Sequence, residues 1–281
     1  MTLNDAIVAA TAQLKNSSPS PALDAQVLLT HSLGQDRTYL IAHAKDTLDT
    51  ETNSQFEQLV AQRIKGMPVA YLTGEQEFWS LPIRVTSDTL IPRPETELLV
   101  ELALEKIPHE QNFLIADIGT GSGAIAIAIA NERKGSSVIA SDRSAEAIEV
   151  AKQNANRLAL DNVEFVQGAT FDPLTEKIFN LVVSNPPYVP ESDPHLAQGD
   201  VRFEPRSALA AGPDGLDVIR LIIEQAKDHL VPRGWLMIEH GYDQESAVEE
   251  LFARAGFEEI ECYRDLAGQP RVTIGQSRSS D

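Results

Sequence analysis

One cysteine, Cys262, stands in 281 residues. The chain therefore has no internal disulfide and no multi-cysteine zinc or iron–sulfur site. The six histidines, His31, His43, His109, His195, His229 and His240, are scattered with no close pair at metal-ligand spacing, so no metal is expected. No apolar run is long enough to span a bilayer. The start, Met1-Thr2-Leu3-Asn4-Asp5, lacks the basic region and apolar core of a signal peptide, and a cytoplasmic protein is expected. Basic residues are also scarce: 23 Lys and Arg face 42 Asp and Glu, a net charge of −19. Residues 1–90 hold 6 basic and 10 acidic, residues 91–281 hold 17 and 32. Phosphate backbones are bound chiefly by Lys and Arg, so free DNA is a poor partner for this chain.

The length allows one large or two modest domains. Residues 1–73 carry a helical pattern and no glycine-rich phosphate loop. Leu3, Ile7, Val8 and Leu14 lie near helical spacing, and Ala22 to Leu33 ends at a capping Gly34. Asp36 to His43 and Thr52 to Lys65 read as two more helices, the last with a stripe of Phe56, Leu59, Val60 and Ile64. A small helical bundle is expected, as a stabilising appendage or a substrate-recognition domain. Gly66-Met67-Pro68-Val69 and Thr73-Gly74 break the pattern, and residues 74–93 read as a linker holding a short hairpin over Glu77–Val85. Pro94 before an acidic turn marks a helix start, with Glu95 and Glu97 near its positive end.

From residue 94 to 281 strands and helices alternate. Strands are expected at Phe113–Ile118, Ser137–Ala140, Val163–Val166, Ile178–Ser184, Gly234–Glu239, Phe257–Tyr263 and Arg271–Ile274. Helices are expected at Gly123–Glu132, Ser144–Leu158, Gly215–Leu230 and Gln244–Ala255. The fold class is α/β, a Rossmann-like, mostly parallel sheet covered on both faces. The tail Ser277–Asp281 is expected to be loose.

Asp117-Ile118-Gly119-Thr120-Gly121-Ser122-Gly123 lies between the first of these strands and its helix. The spacing is Gly-x-Gly-x-Gly, not the Gly-x-Gly-x-x-Gly of dinucleotide sites, and no Gly-Lys-Ser/Thr follows. Asp142 ends the second strand, where a carboxylate can accept from two ribose hydroxyls, or cap the helix starting near Ser144. Loop and acid together indicate a nucleoside ligand without phosphates. Asn185-Pro186-Pro187-Tyr188 follows a buried-strand pattern, Phe179–Ser184. Two prolines stop the strand and hold a carboxamide, two rigid rings and a phenol at its carboxyl end. The Asn185 side-chain carbonyl and the Pro186 backbone carbonyl can accept from a planar –NH2 group, with Tyr188 stacked on its face. The Asn185 –NH2 is expected to face the ligand.

These motifs resemble class I S-adenosylmethionine-dependent methyltransferases that modify amide or amino nitrogen. Further segments, Pro92-Arg93-Pro94-Glu95-Thr96-Glu97, Gly199 to Leu209, Glu239-His240-Gly241 and Asp265 to Arg271, make the whole chain similar to the release factor glutamine methyltransferases. That resemblance implies S-adenosylmethionine as cofactor, class I peptide release factors as partners and the glutamine of their Gly-Gly-Gln motif as target; a monomer is expected. It implies that Gly119, Thr120, Gly121, Ser122, Gly123, Asp142 and Asn185 hold the cofactor. Arg93, Glu95, Asn185, Pro186, Pro187 and Tyr188 would hold the target, with Asn185, Pro186 and Tyr188 catalytic. After the third strand the family often carries Ser-Asp-Trp. Here Gly168-Ala169-Thr170-Phe171 stands there, leaving a backbone amide and the Phe171 ring to frame the adenine. The rival readings are a DNA adenine-N6 methyltransferase, which uses the same tetrapeptide, and a non-catalytic nucleoside-binding module.

Overall fold

The computed structural model describes residues 1–109 and 111–279. The chain forms two compact units. The first holds Met1–Glu75 together with Gln198–Phe203, and the second holds the remainder.

The first unit is helical: α1 (Leu3–Leu14), α2 (Pro21–Leu33), α3 (Arg37–Ala42), α4 (Thr50–Ile64) and α5 (Val69–Thr73). Its ends are fixed by local chemistry. Thr2 and Asp5 form a reciprocal capping box on α1, and Asp36 and Asp49 cap α3 and α4. Leu3, Leu14, Leu28, Leu29, Phe56 and Val60 make its core. Val8 and Leu23, which helical spacing alone groups with that face, are exposed. The α5 turn forms where Gly66-Met67-Pro68 reads as a break: Pro68 stands just before the helix, where a missing N–H costs nothing. Arg63 is buried and fully engaged. Its Nε donates to Asp24 at 2.7 Å, and its Nη1 donates to Asp200 at 2.7 Å and to the Met67 carbonyl at 3.1 Å. Arg202 donates to the Lys65 carbonyl at 2.7 Å. These bonds tie 198–203 to the helical unit.

The second unit opens at Gln76, inside the hairpin of β1 (Glu75–Phe78) and β2 (Leu81–Arg84), turned at Trp79 and Ser80, both at positive φ. It is no free tether: Phe78 and Ile83 are buried in the core, and the Arg84 amide donates to Asn154 at 2.8 Å. A single turn, Pro94–Thr96, leads into α6 (Glu97–Lys106). Then come β3 (Leu114–Ile118), α7 (Ala124–Glu132), β4 (Ser137–Asp142), α8 (Ala145–Arg157), β5 (Val163–Gln167) and β6 (Phe179–Ser184). The chain ends through α9 (Asp217–Ala226), β7 (Leu230–Glu239), α10 (Glu245–Ala255), β8 (Glu258–Arg264) and β9 (Pro270–Gln276). The helix expected through Leu230 stops at Ala226, and Leu230 already belongs to β7.

The seven strands lie in the order β5-β4-β3-β6-β7-β9-β8, parallel except around β9. Alternate residues feed two core layers: Ile115 and Met237 on one face, Ala116, Leu236 and Ile238 on the other. Every residue of α7 from Ala124 to Ala130 is buried, which explains its lack of a polar face. The chain runs outward from β3 through β4 to β5, then returns to the other side of β3 with β6. Ligands of open α/β sheets bind at such a reversal, outside the strands' carboxyl ends. The tail is anchored at its start: the Ser277 hydroxyl donates to the Val231 carbonyl at 2.7 Å. Ser280 and Asp281 of the expected loose tail lie outside the described residues.

Candidate active site

Strand register brings the two motifs together. Ile118 pairs with Ser184 across β3 and β6, and the Ser184 hydroxyl donates to the Ile118 carbonyl at 2.6 Å. The loop after Ile118 and the tetrapeptide after Ser184 therefore leave the sheet side by side. Ile118 also pairs with Ser141, which places Asp142 on the loop's other flank. A cavity of about 250 Å³ opens there. Gly119, Thr120, Gly121, Ser122, Asp142, Ala169, Thr170, Asn185, Pro186 and Pro187 line it, so ten of the expected residues meet at one place.

The loop is shaped by backbone. The Gly119 and Thr120 amides donate to the Ser141 carbonyl at 2.8 and 2.9 Å. The Gly121 amide donates to Asp142 Oδ2 and the Ser144 amide to Asp142 Oδ1, both at 2.9 Å. Asp142 thus holds the loop in place and still faces the cavity. The cap of α8 is Ser144, whose hydroxyl accepts from the Ala147 amide. A Cβ built on Gly121 meets no atom within 4 Å, whereas one on Gly123 lies 3.0 Å from both Ala151 Cβ and Ile127 Cδ1. Gly121 borders open space. Gly123 does not line the cavity; it lets α7 pack on α8.

Behind the loop, Asp117 is fully buried at the N-terminal end of α7. It accepts from the Thr120 hydroxyl at 2.6 Å and the Ala126 amide at 3.2 Å, both on Oδ2, leaving Oδ1 without a partner. Burial raises its carboxyl to about 7 against those two bonds.

The other wall is a side-chain network. Asn185 Nδ2 donates to Thr96 Oγ1 at 3.1 Å, which engages one of the two hydrogens of its –NH2. The Tyr188 hydroxyl donates to Glu239 Oε1 at 3.4 Å. Burial, then the neighbouring Glu239 charge, pushes the phenol upward, and it stays neutral. Burial likewise raises the Glu239 carboxyl to about 7, opposed by Thr96, Arg271 and Tyr188. Tyr188 does not line the cavity; its ring packs against the core layer around α9 and β7. Gln244 Nε2 donates to the Tyr188 carbonyl at 3.0 Å, fixing the chain just past the prolines.

Three further expected residues sit away from the cavity. Arg93 pairs with buried Glu204, which also accepts from the Ile91 amide at 3.1 Å. Glu95 is exposed on the turn before α6. The Phe171 ring, expected to frame a purine, is buried and stacked 4.6 Å from His229. The correction has a local cause. Thr170 sits at φ 45°, strained for a β-branched residue. Its carbonyl accepts from the Ser141 hydroxyl at 3.0 Å. That kink turns Ala169 and Thr170 to the cavity and Phe171 into the core.

Sequence reasoning missed Thr96, Arg143 and Leu221, which also line the cavity. Leu221 carried a signal: it is an exposed apolar residue off the buried stripe of Ile219, Ile222 and Ile223. The motifs Glu239-His240-Gly241 and Asp265–Arg271 work together from behind. Arg271 pairs with Asp265 at 3.1 Å and donates to the His240 carbonyl at 3.4 Å.

A glycine loop, an acid on the next strand and a carboxamide beside them, at the reversal of a mostly parallel sheet, define a methyltransferase, and residues 94–200 match a family model described as "Methyltransferase small domain". Residues 5–74 match one described as "PrmC N-terminal domain". The release factor glutamine methyltransferase of Vibrio cholerae is 50% identical over 281 residues, 99% of this chain and 98% of that protein. The Escherichia coli protein of the same name is 47% identical over 260 residues, 92% of this chain and 94% of its own. A solved methyltransferase from Pyrococcus furiosus shares the fold at 20% identity with a TM-score of 0.54, covering 70% of this chain and 89% of that one. The chain belongs to the release factor glutamine methyltransferase family.

Proposed function

We propose that the protein transfers a methyl group from S-adenosylmethionine to the side-chain amide nitrogen of the glutamine in the Gly-Gly-Gln motif of class I release factors. The observation that carries this is one cavity lined by both Gly119–Ser122 and Asn185–Pro187, in a chain of this family. The cavity suits the cofactor. Gly121 leaves room where a side chain would intrude. Asp142 faces the cavity, which supports its bonding to ribose hydroxyls, and Asp117 keeps an unpaired oxygen behind the loop. Ala169 and Thr170 offer the purine backbone rather than an acid.

When bound, the cofactor supplies an electrophilic methyl on a sulfonium. The protein's own residues prepare the nitrogen. An amide nitrogen is a weak nucleophile because its lone pair is delocalised into the carbonyl. The Asn185 Oδ1 and Pro186 carbonyls, accepting from its two hydrogens, favour a pyramidal nitrogen with a localised pair. The rigid prolines fix that slot, so positioning at near-attack distance does much of the work. The nitrogen sheds its proton after attack, and no strong base is required. Every lining residue comes from the second unit, and the enzyme is read as a monomer whose place is the cytoplasm, where release factors act. The net charge of −19 supports a protein substrate over DNA.

The test is incubation of the purified protein with labelled S-adenosylmethionine and a class I release factor, with mass spectrometry locating the methyl group. Methylation of that glutamine is expected, with none on a variant factor carrying Ala there and none on duplex DNA. Label on adenine and none on the factor would overturn the reading.

A further inference from the structure

Asn154 is buried in the last turn of α8. It does not line the cavity, yet it bonds to the glycine loop and to a second stretch that leads to the cavity. Its Oδ1 accepts from the Arg84 amide at 2.8 Å. Its Nδ2 donates to the Arg84 carbonyl at 3.0 Å and to the Ser122 carbonyl at 2.9 Å. All of these partners are backbone groups. An amide N–H can only donate and a carbonyl can only accept, so the partners fix which end of this carboxamide faces where. Both –NH2 hydrogens are used, one on each carbonyl. Ser122 is a lining residue of the glycine loop. Arg84 leads into the second stretch. After the buried Val85, the Thr89 amide donates to the Thr86 carbonyl at 3.1 Å, and the Thr86 amide donates to the Thr89 hydroxyl at 3.2 Å. That tight turn delivers Asp88, Thr89, Leu90 and Pro92 to the cavity. Buried Glu204 holds the Ile91 amide at 3.1 Å. The stretch 84–92 is thus tied near both ends, and Asn154 ties it to the glycine loop.

We propose that Asn154 is a positioning residue for the cofactor: its carboxamide sets the spacing between the glycine loop and the 88–92 stretch, and so holds the S-adenosylmethionine end of the cavity in its binding shape before the cofactor arrives. This rests on the cofactor reading above. The loop has need of such a tie. Gly119 and Gly121 stand at φ 77° and 56°, and a Cβ on either would meet open space, so neither position packs the loop against a neighbour. The loop's amides bond to Ser141 and Asp142 on the β4 side. The Ser122 carbonyl bonds to Asn154 on the α8 side. Without that second hold, the ligand itself would have to order the loop, and the ordering would be subtracted from its affinity. Asn185 bonds to Thr96 and not to this tie. Loss of Asn154 therefore acts on cofactor affinity and hardly on the chemical step once the cofactor is bound.

The experiment uses the full chain as wild type, Asn154→Ala, Asn154→Ser and Asn162→Ala. The serine hydroxyl can bond back to its own helix, so this form keeps the fold if the alanine form does not. Asn162 is the matched control. Its Nδ2 also bonds to backbone carbonyls, those of Ala130, Arg133 and Ser136 at 3.0, 3.2 and 3.0 Å, but none of these belongs to a lining residue. The S-adenosylmethionine Kd by calorimetry is expected to rise about tenfold in both Asn154 variants. In Asn162→Ala it should stay within about twofold, even where thermal stability falls as far. KM for the cofactor should follow Kd, while methylation of a class I release factor at saturating cofactor stays within about twofold of wild type. In the free protein, hydrogen exchange of the Gly119, Thr120 and Gly121 amides should be faster in the Asn154 variants and unchanged in Asn162→Ala. Wild-type affinity in a folded Asn154 variant would overturn the proposal. So would an equal loss of affinity in Asn162→Ala, which marks general destabilisation. If wild type binds no S-adenosylmethionine, the functional reading falls, and loop exchange alone decides the tie: faster exchange confined to the Asn154 variants supports it, and equal exchange in all forms overturns it.

Discussion

The two walls of the cavity are built by opposite means. On the β3–β4 side, backbone makes the surface: amides of Gly119, Thr120 and Gly121 are spent on Ser141 and Asp142, and Gly121 borders open space. On the β6–β7 side, side chains make it: Asn185 and Thr96 line the cavity and bond to each other, and behind them Tyr188 bonds to Glu239. The glycine wall is specified by what is missing, so it tolerates change poorly wherever atoms are added. The carboxamide wall is specified by its polar groups, so removing the one at the cavity should matter most there. Each wall also hides one carboxyl group raised to about 7, Asp117 or Glu239, with one oxygen unpaired. Asp117 answers to a helix end and a threonine; Glu239 answers to Thr96, Arg271 and Tyr188.

The largest effect should come from Asn185→Ala. It removes the acceptor at the reacting centre, and turnover should fall about 10²–10³-fold, with cofactor affinity nearly unchanged. Near-normal single-turnover rates in that variant would reduce the tetrapeptide to a turn.

Next is Asp117→Asn. A buried acid raised from 3.8 to about 7 binds more protons folded than unfolded between those values. Its contribution to stability is therefore present at low pH and lost as pH rises through about 7. Asn carries no such loss. The difference in unfolding free energy, variant minus wild type, should grow in the variant's favour from about pH 4 to about pH 7, by on the order of 3 kcal/mol, and then level off. Urea unfolding of the free protein at several pH values checks it. A difference independent of pH would show that Asp117 titrates normally.

Asp142→Ala should weaken S-adenosylmethionine binding by about tenfold or more, since charge-assisted hydrogen bonds are worth about 1.5–3 kcal/mol each. Calorimetry reads this directly. A fall in thermal stability with affinity intact would assign the carboxylate to the Gly121 and Ser144 amides alone. The smallest effect is Tyr188→Phe. The lost bond is long, 3.4 Å, and the ring remains, so turnover should drop by less than about fivefold, consistent with a neutral hydrogen bond's net worth of about 1 kcal/mol. A loss as large as that of Asn185→Ala would give the phenol a direct part in the chemistry.

Much of this was legible in the chain. The alternation after Phe113 yields the strands and helices, because buried parallel strands and amphipathic helices have short-range signatures. The glycine spacing and the prolines mark both motifs at the reversal of the sheet. Thr96 was not legible as a partner of Asn185, since 89 positions separate them and only the fold makes them neighbours. Phe171 misled for a local reason: the positive φ of Thr170 reverses the side-chain direction that simple alternation gives. The membership of residues 198–203 in the helical unit was also hidden, because it depends on Arg63 meeting Asp200.

That last pairing shapes how the gene can be cut and joined. The polypeptide passes between its two units after Glu75, after Ala197 and after Phe203. A recombination breakpoint at residue 75 would import a helical unit whose own six-residue outlier stays behind in the other parent. Arg63 would then meet a foreign residue in place of Asp200, and Lys65 a foreign donor in place of Arg202. Arg63 is buried and would keep Asp24, but its Nη1 would lose the Asp200 carboxylate and leave a buried cation less well paired. A graft of the helical unit therefore needs residues 198–203 carried with it, so that Arg63 keeps Asp200 and Lys65 keeps Arg202.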